Sequence, residues 1–294
     1  MKVLVTGAAG RVGTAAVFAL LNRGAQVRAM LHRPDRPAVF TPRDLECVTA
    51  DLDDGPAVRA ALSGVEAVLL ISPLHPNLPV REIGLIEACS QGTARRVVKI
   101  SALGAAPDWP VPAPRWHGLV ERHLRESTLS WTVLQPNFFF QTLLEFADTA
   151  AAGTLAIPAG QVRISMVDTR DIGRAAAAVL TQDGHNHRTY QITGQRAVSF
   201  DDVAHALTAA TGHRVTYLDL APQQAHQRMV AAGMPDWLIE QRDLVFASYR
   251  DAGRAGYPSL ITTAVHDLTG RQPSTIADFA TEHASRFIGR NGGR

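Results

Sequence analysis

The chain has 294 residues, 46% hydrophobic and 19% charged. That is enough apolar mass for one large α/β core with a smaller appendage, and too much for a disordered chain. A formal net charge of +2 without a basic run leaves no electrostatic footprint for nucleic acid.

No apolar run reaches the roughly 18 residues a membrane helix needs, so no membrane partner is expected. Met1-Lys2 leads straight into an apolar strand, which makes the cytoplasm the expected location. Cys47 and Cys89 are expected to be buried core thiols. No metal ligand set stands out.

In the first half, short β-rich runs at Val3–Thr6, Gln26–Leu31, Leu45–Thr49, Ala67–Ile71, Val97–Ile100 and Trp131–Leu134 alternate with helical stretches. Arg11–Arg23, Pro56–Leu62 and Leu78–Ser90 are such stretches, each followed within two residues by glycine. The alternation predicts an α/β fold with a doubly wound parallel Rossmann sheet, whose ligands bind at the carboxyl ends of the strands. Pro107, Pro110, Pro112 and Pro114 predict a loop from Gly104 to Trp116.

Beyond about residue 150 the pattern changes to strands near Thr154–Ile157, Tyr190–Ile192 and Val215–Leu218 and helices at Asp171–Leu180, Asp201–Thr211 and Thr275–Phe287. Ser199 with Asp202 forms a capping pattern. A dinucleotide-binding domain over residues 1–150 and a smaller C-terminal α/β substrate lobe over 151–294, with some elements interleaved, are therefore expected.

The segment Thr6-Gly7-Ala8-Ala9-Gly10-Arg11-Val12-Gly13 joins the first strand to the first helix. Gly7 turns the chain, Gly10 admits a pyrophosphate against the backbone, and Gly13 lets the helix pack on the sheet. The helix N-terminus adds open N–H groups for phosphate. After the second strand there is no acidic residue for a ribose hydroxyl; Arg33, with Arg11, is placed for a 2′-phosphate, and NADP(H) is the expected cofactor. Asp51 and Leu52 follow the third strand, Ser72 and Pro73 the fourth, and Ser101 and Ala102 the fifth, all in register to line the nucleotide.

These features, with Val98-Lys99-Ile100-Ser101-Ala102, Trp131-Thr132-Val133-Leu134-Gln135-Pro136-Asn137-Phe138-Phe139, Val167-Asp168-Thr169-Arg170-Asp171-Ile172 and Leu268-Thr269-Gly270-Arg271-Gln272-Pro273, make the chain resemble the NmrA-like atypical short-chain dehydrogenase/reductases. The resemblance implies an NADP(H)-binding Rossmann domain and a small lobe closing over a substrate cleft, with Pro136, Asn137 and Phe138 beside the cofactor. It also implies either a reductase of quinones and related acceptors or a nucleotide-binding redox sensor. Many relatives carry arginine where this chain has Gln135.

The tyrosine and lysine of mainstream short-chain dehydrogenases have no counterpart. The four tyrosines, Tyr190, Tyr217, Tyr249 and Tyr257, lie outside the Rossmann half, and none has lysine four positions on. His117 and Glu121 stand in the place of that pair, four apart on one helix face. They could hydrogen-bond to each other or point together into the cleft.

An imidazole with an ordinary pKa of about 6.5 would suit proton donation to a reduced substrate; a capping or surface histidine paired with glutamate fits the spacing equally. His123 is expected in solvent. Leu74, His75, Trp109, Trp116 and Phe138 are the expected walls of a pocket for a flat, apolar small molecule. The leading expectation is NADPH-dependent reduction of a quinone, enone or carbonyl; the rivals are a non-catalytic sensor and a non-redox lyase or isomerase on the same fold.

Overall fold

The computed structural model describes residues 1–32, 45–251 and 257–288. In chain order the first elements are β1 (Lys2–Val5), α1 (Arg11–Leu21), β2 (Gln26–Leu31), β3 (Leu45–Thr49), α2 (Gly55–Leu62), β4 (Ala67–Leu70), α3 (Leu78–Gln91), β5 (Arg96–Ile100), α4 (Pro112–Glu126) and β6 (Ser130–Pro136). There follow α5 (Ala147–Ala151), β7 (Thr154–Ile157), α6 (Thr169–Thr181), β8 (Arg188–Ile192), α7 (Phe200–Thr211) and β9 (Thr216–Asp219). The last are α8 (Pro222–Ala231), α9 (Asp236–Asp251), α10 (Ala264–Thr269) and α11 (Ile276–Glu282).

The chain divides into two compact units. One comprises Met1–Pro136, Thr169–Ile192 and Ala264–Arg271; the other comprises Asn137–Asp168, Thr193–Thr263 and Gln272–Arg294. The division thus falls at Pro136 rather than near residue 150, and α6, β8 and α10 return to the first unit. The return of β8 has a simple cause: it pairs with β6, Thr132 opposite Arg188 through Pro136 opposite Ile192, which gives that strand a second neighbour.

Among the described residues, the first unit holds a seven-stranded parallel sheet in the order β3-β2-β1-β4-β5-β6-β8. The strand order reverses between β1 and β4, where ligands of such sheets bind. One face carries α2, α3 and α4 over a core that includes Leu4, Val68, Leu70, Val97 and Val133.

On the other side of the chain's alternation, α6 packs on α1. A Cβ on Gly173 would lie 2.7 Å from the Ala15 carbonyl carbon, and the buried run Ala175–Ala178 keeps the α6 surface low. Only small residues permit that approach.

The second unit has its own core, with Phe140, Leu155, Phe200, Phe279 and Phe287, and a parallel pair of β7 with β9. Ser199 caps α7 in a reciprocal capping box with Asp202, as its sequence pattern predicts.

Two expectations need correction. The proline-rich segment is a loop only as far as Val111: α4 begins at Pro112, with Pro112 and Pro114 inside the first turn, where a missing N–H costs no helical hydrogen bond. Cys47 is exposed, because β3 is an edge strand whose outer residues face solvent. Cys89 is buried, and desolvation pushes its thiol up to about 12. No helix among the described residues is long and apolar enough to cross a membrane.

Replacing Gly173 by leucine should force α1 and α6 apart and cost about 1–3 kcal/mol. The thermal midpoint should drop by several degrees relative to a surface substitution such as Gln182→Ala.

Candidate active site

The glycine loop has the geometry of a nucleotide cradle. Gly7 has φ +57°, and a Cβ there would sit 2.9 Å from the Ile71 carbonyl oxygen, so the turn excludes other residues. A Cβ on Gly13 would fall 2.2 Å from the Gly7 oxygen; the first turn of α1 therefore closes directly onto the loop.

Gly10 and Arg11 are exposed, no side chain caps α1, and no carboxylate occupies its first turn. The first turn of a helix without a side-chain cap is the kind of backbone that takes a phosphate. Gly7, Ala9, Gly10, Arg11, Val12 and Gly13, the residues expected to hold the phosphates, all lie on this loop and the first turn of α1. Arg33 lies outside the described residues.

Thr6 lies beneath the cradle. It is buried, donates from Oγ1 to the Ile71 oxygen at 2.6 Å and accepts from the Ile71 N–H at 2.8 Å. Its role is to tie the end of β1 to the chain leaving β4. Asp51 lies half-buried after β3 and faces His32 Nδ1 at 3.2 Å, while Leu52 packs partly on the core.

Pro73 and Leu74 are exposed, and His75 Nδ1 accepts the Asn77 N–H at 3.0 Å in a local turn. Ala102 is half-buried beside Ser101, and the Pro136 oxygen accepts the Leu103 N–H at 2.9 Å.

Beyond the cradle, the face of the sheet under α3 and α4 carries a layer of buried polar groups. Ser72 donates to Glu82 Oε1 at 2.7 Å. The other Glu82 oxygen forms an ion pair with Lys99, and both side chains are 0% exposed. The Lys99 ammonium also reaches the Ile100 oxygen and His117 Nδ1, each at 3.1 Å.

Lys99 and Ser101 are two apart at the end of β5 and so face the same way. Ser101 donates to Glu121, and Gln135 Nε2 donates to both Glu121 oxygens at 2.9 and 3.1 Å. Arg125 completes this second cluster with Nη2 2.6 Å from Glu121 Oε2. Glu121 thus takes its positive counter-charge from α4.

Of the arrangements the spacing allowed, a direct His117–Glu121 pair is not the one formed. Glu121 is fully buried and held by Ser101, Gln135 and Arg125, whereas His117 turns to Lys99. Desolvation, with the Lys99 charge adding to it, holds the imidazole well below its ordinary value. At neutral pH it is therefore neutral, not the poised acid that an unperturbed pKa implied.

An ammonium carries donors only, so Nδ1 must accept and the ring proton resides on Nε2. His117 is half-buried. Next to it, Gly118 lets the loop after β5 lie against α4: a Cβ there would be 2.3 Å from the Ala106 carbonyl carbon.

Several expected pocket residues have other work. Trp116 packs partly on the core under α3 and α4. Phe138 lies edge-on to Phe200, ring centroids 6.2 Å apart, in the second unit. Asn137 donates to Ser165 Oγ and the Pro258 oxygen, both at 2.8 Å, and accepts the Phe138 N–H, so its side chain is engaged within that unit. Trp109 is half-buried in the loop before α4, and His123, partly exposed, faces Glu87 at 3.9 Å.

Lys99, Glu82 and Arg125 were absent from the sequence-based site. One signal did exist: Lys99 is one of two lysines in a chain otherwise using arginine, and it interrupts an apolar parallel strand. Among the described residues no group of three or more potential ligands could hold a metal ion.

The sequence model of the NAD(P)H-binding family matches residues 7–183. The NAD(P)H azoreductase of Xenophilus azovorans is 33% identical over 286 residues, covering 97% of this chain and 99% of that protein. The crystal structure of an NADPH-dependent quinone oxidoreductase from Escherichia coli superposes with a TM-score of 0.80 at 25% identity, covering 95% of this chain and 98% of that one. A structure of an NmrA double mutant, 17% identical, superposes with a TM-score of 0.77 over 100% of this chain and 98% of its own and shares the fold.

His117 links stability to pH. In the unfolded chain it takes a proton near about pH 6.5, but in the fold only at lower pH, so below that value the unfolded state binds more protons and stability falls. Urea midpoints should decline more steeply from about pH 7 to pH 5 for the wild type than for His117→Gln; equal slopes would contradict a buried neutral imidazole.

Proposed function

The chain belongs to the NAD(P)H-binding family of NmrA-like atypical short-chain dehydrogenase/reductases and is an NAD(P)-dependent oxidoreductase, and from that premise we propose that it reduces a small quinone, azo, enone or carbonyl compound with NADPH. The quinone and azo classes are suggested by the named activities of its relatives. The observation that carries the reading is His117, a half-buried neutral imidazole on α4 anchored from β5, which is read from the sequence as the counterpart of a dehydrogenase tyrosine.

Bound at the glycine loop, the cofactor supplies a hydride. Gly7, Ala9, Gly10, Arg11, Val12 and Gly13 would hold its phosphates, with Asp51 toward the base and Ser72 and Ser101 at the strand ends. Arg11, exposed at the start of α1, and Arg33 are the cations for a 2′-phosphate.

His117 Nε2–H donates to the oxygen or nitrogen on which negative charge develops in the acceptor. Such anions are stable enough that a hydrogen-bond donor suffices, whereas reversible alcohol dehydrogenation needs the activated phenol this chain lacks. The sensor and the lyase or isomerase readings gain no support from relatives named as reductases.

Mixing the protein with NADPH and a panel of quinones, azo dyes, enones and aldehydes, while following NADPH absorbance, should show consumption with at least one of the first three classes. Tight NADPH binding with no turnover across the panel would sink the reading. In direct titrations, Arg33→Asp combined with Arg11→Ala should lose the preference for NADPH over NADH, a loss of about 1–3 kcal/mol for the charge-assisted contacts removed.

A further inference from the structure

The buried charges on the α3 and α4 side of the sheet form a chain of contacts: Ser72 to Glu82, Glu82 to Lys99, Lys99 to His117 Nδ1. Its outer end adjoins the glycine loop, because Ser72 follows Ile71, whose oxygen sits against Gly7. Neither Lys99 nor Glu82 is required by the packing of an apolar strand. Burying the pair is a net cost that a hydrophobic pair of similar volume would avoid.

His117 on its own poses a chemical difficulty. A neutral imidazole that gives away its Nε2 proton becomes an imidazolate, a far worse outcome than an imidazolium becoming neutral. The loss is feasible only if Nδ1 gains a proton in the same step. The atom in contact with Nδ1 is the Lys99 ammonium nitrogen.

We propose that Lys99 is the positioning residue and proton store behind His117, fixing the Nε2–H tautomer and refilling Nδ1 as the Nε2 proton leaves. The proposal rests on the reductase reading above. The reduced acceptor carries one negative charge after gaining a hydride. Its anionic oxygen or nitrogen takes the proton from Nε2, Nδ1 takes one from Lys99 Nζ, and His117 ends neutral in the other tautomer.

Lys99 is left as an amine beside Glu82. A solvent proton then enters at Nε2 of the half-buried imidazole while the Nδ1 proton returns to Lys99 Nζ, which restores both the ammonium and the Nε2–H tautomer. Charge balances at each step, and no group beyond the acceptor, the nicotinamide and water is needed. The charged groups around His117 are Lys99 from β5, Glu82 from α3 behind it, and, one turn along α4, Glu121, whose oxygens are taken by Ser101, Gln135 and Arg125.

The test begins with the histidine ring nitrogens in the ¹⁵N spectrum of the cofactor-free protein. His117 should show an unprotonated Nδ1 and a protonated Nε2, unchanged from about pH 5.5 to 8. In the double variant Glu82→Met/Lys99→Met, which removes both charges so that neither is stranded, the ring should lose its fixed Nε2–H tautomer and take up a proton at higher pH than in the wild type, while desolvation still holds it below its ordinary value.

Turnover of a quinone or azo acceptor should be nearly independent of pH in the wild type. In the double variant it should fall about 10²-fold at neutral pH and rise as the pH falls toward the range in which the ring takes up a proton, where His117 becomes an ordinary acid. NADPH affinity should fall far less than turnover, since the glycine loop is untouched and only the Ser72 hydroxyl loses its partner.

A wild-type His117 that titrates normally, or a folded double variant with a flat pH profile, would overturn the proposal. If the wild type consumes no NADPH with any acceptor of the panel, the reductase reading fails and the relay with it, while the ring spectrum still decides whether Lys99 sets the tautomer.

Discussion

A lysine with no exposed surface must find a counter-charge and acceptors for its remaining protons, and much of the first unit is arranged around that requirement at Lys99. Its ammonium meets Glu82, the Ile100 oxygen and His117 Nδ1, which accounts for its three donors. Three elements are bound in consequence: α3 brings Glu82, β5 brings Lys99, and α4 brings His117. Removing either member of the ion pair would strand the other in a medium that solvates charge poorly, so their spacing is tightly constrained. Glu121, with its ring of Ser101, Gln135 and Arg125, fastens the next turn of α4 to β5 and β6 in the same manner.

Glycine makes these approaches geometrically possible. Gly118 brings the loop after β5 within contact of α4, Gly13 seats α1 on the nucleotide loop, and Gly173 admits α6 against α1. Each is a place where backbone meets backbone and a methyl group has no room. The two kinds of constraint are complementary: close approach sets how far the helices lie from the sheet, and the buried polar contacts set their registration along it. A hydrophobic interface alone is tolerant of sliding; a hydrogen bond to one atom is not.

The site that results is unlike that of a tyrosine-dependent dehydrogenase. A neutral imidazole offers a donor whose strength comes from its fixed orientation instead of a shifted acid constant. The same device, a histidine held neutral by its surroundings so that it donates from one nitrogen, serves enzymes in which charge builds on a carbonyl oxygen. Here the surroundings are desolvation and a lysine, and that lysine carries the proton that the imidazole lacks.

Strand-and-helix alternation in the first half, the three glycines after β1, arginine in place of an acid at position 33 and the Ser199 cap are all written in local residue order. For that reason the sheet, the nucleotide loop and the class of cofactor were legible without coordinates. Local order misjudged Pro112 and Pro114, which a helix accepts in its first turn, and Cys47, whose exposure depends on β3 being an edge strand.

Which elements beyond residue 150 return to the first unit is not written locally either: β8 joins it because it pairs with β6, and a strand's partner is chosen across the chain. Periodicity marks Lys99, Glu82 and Glu121 as lying on particular faces of their elements, yet it does not say which polar group meets which. That choice fell to the tertiary structure: His117 has both Glu121 one turn away and Lys99 on a neighbouring strand within possible reach, and the competing demands of Ser101, Gln135 and Arg125 on Glu121 decide between them.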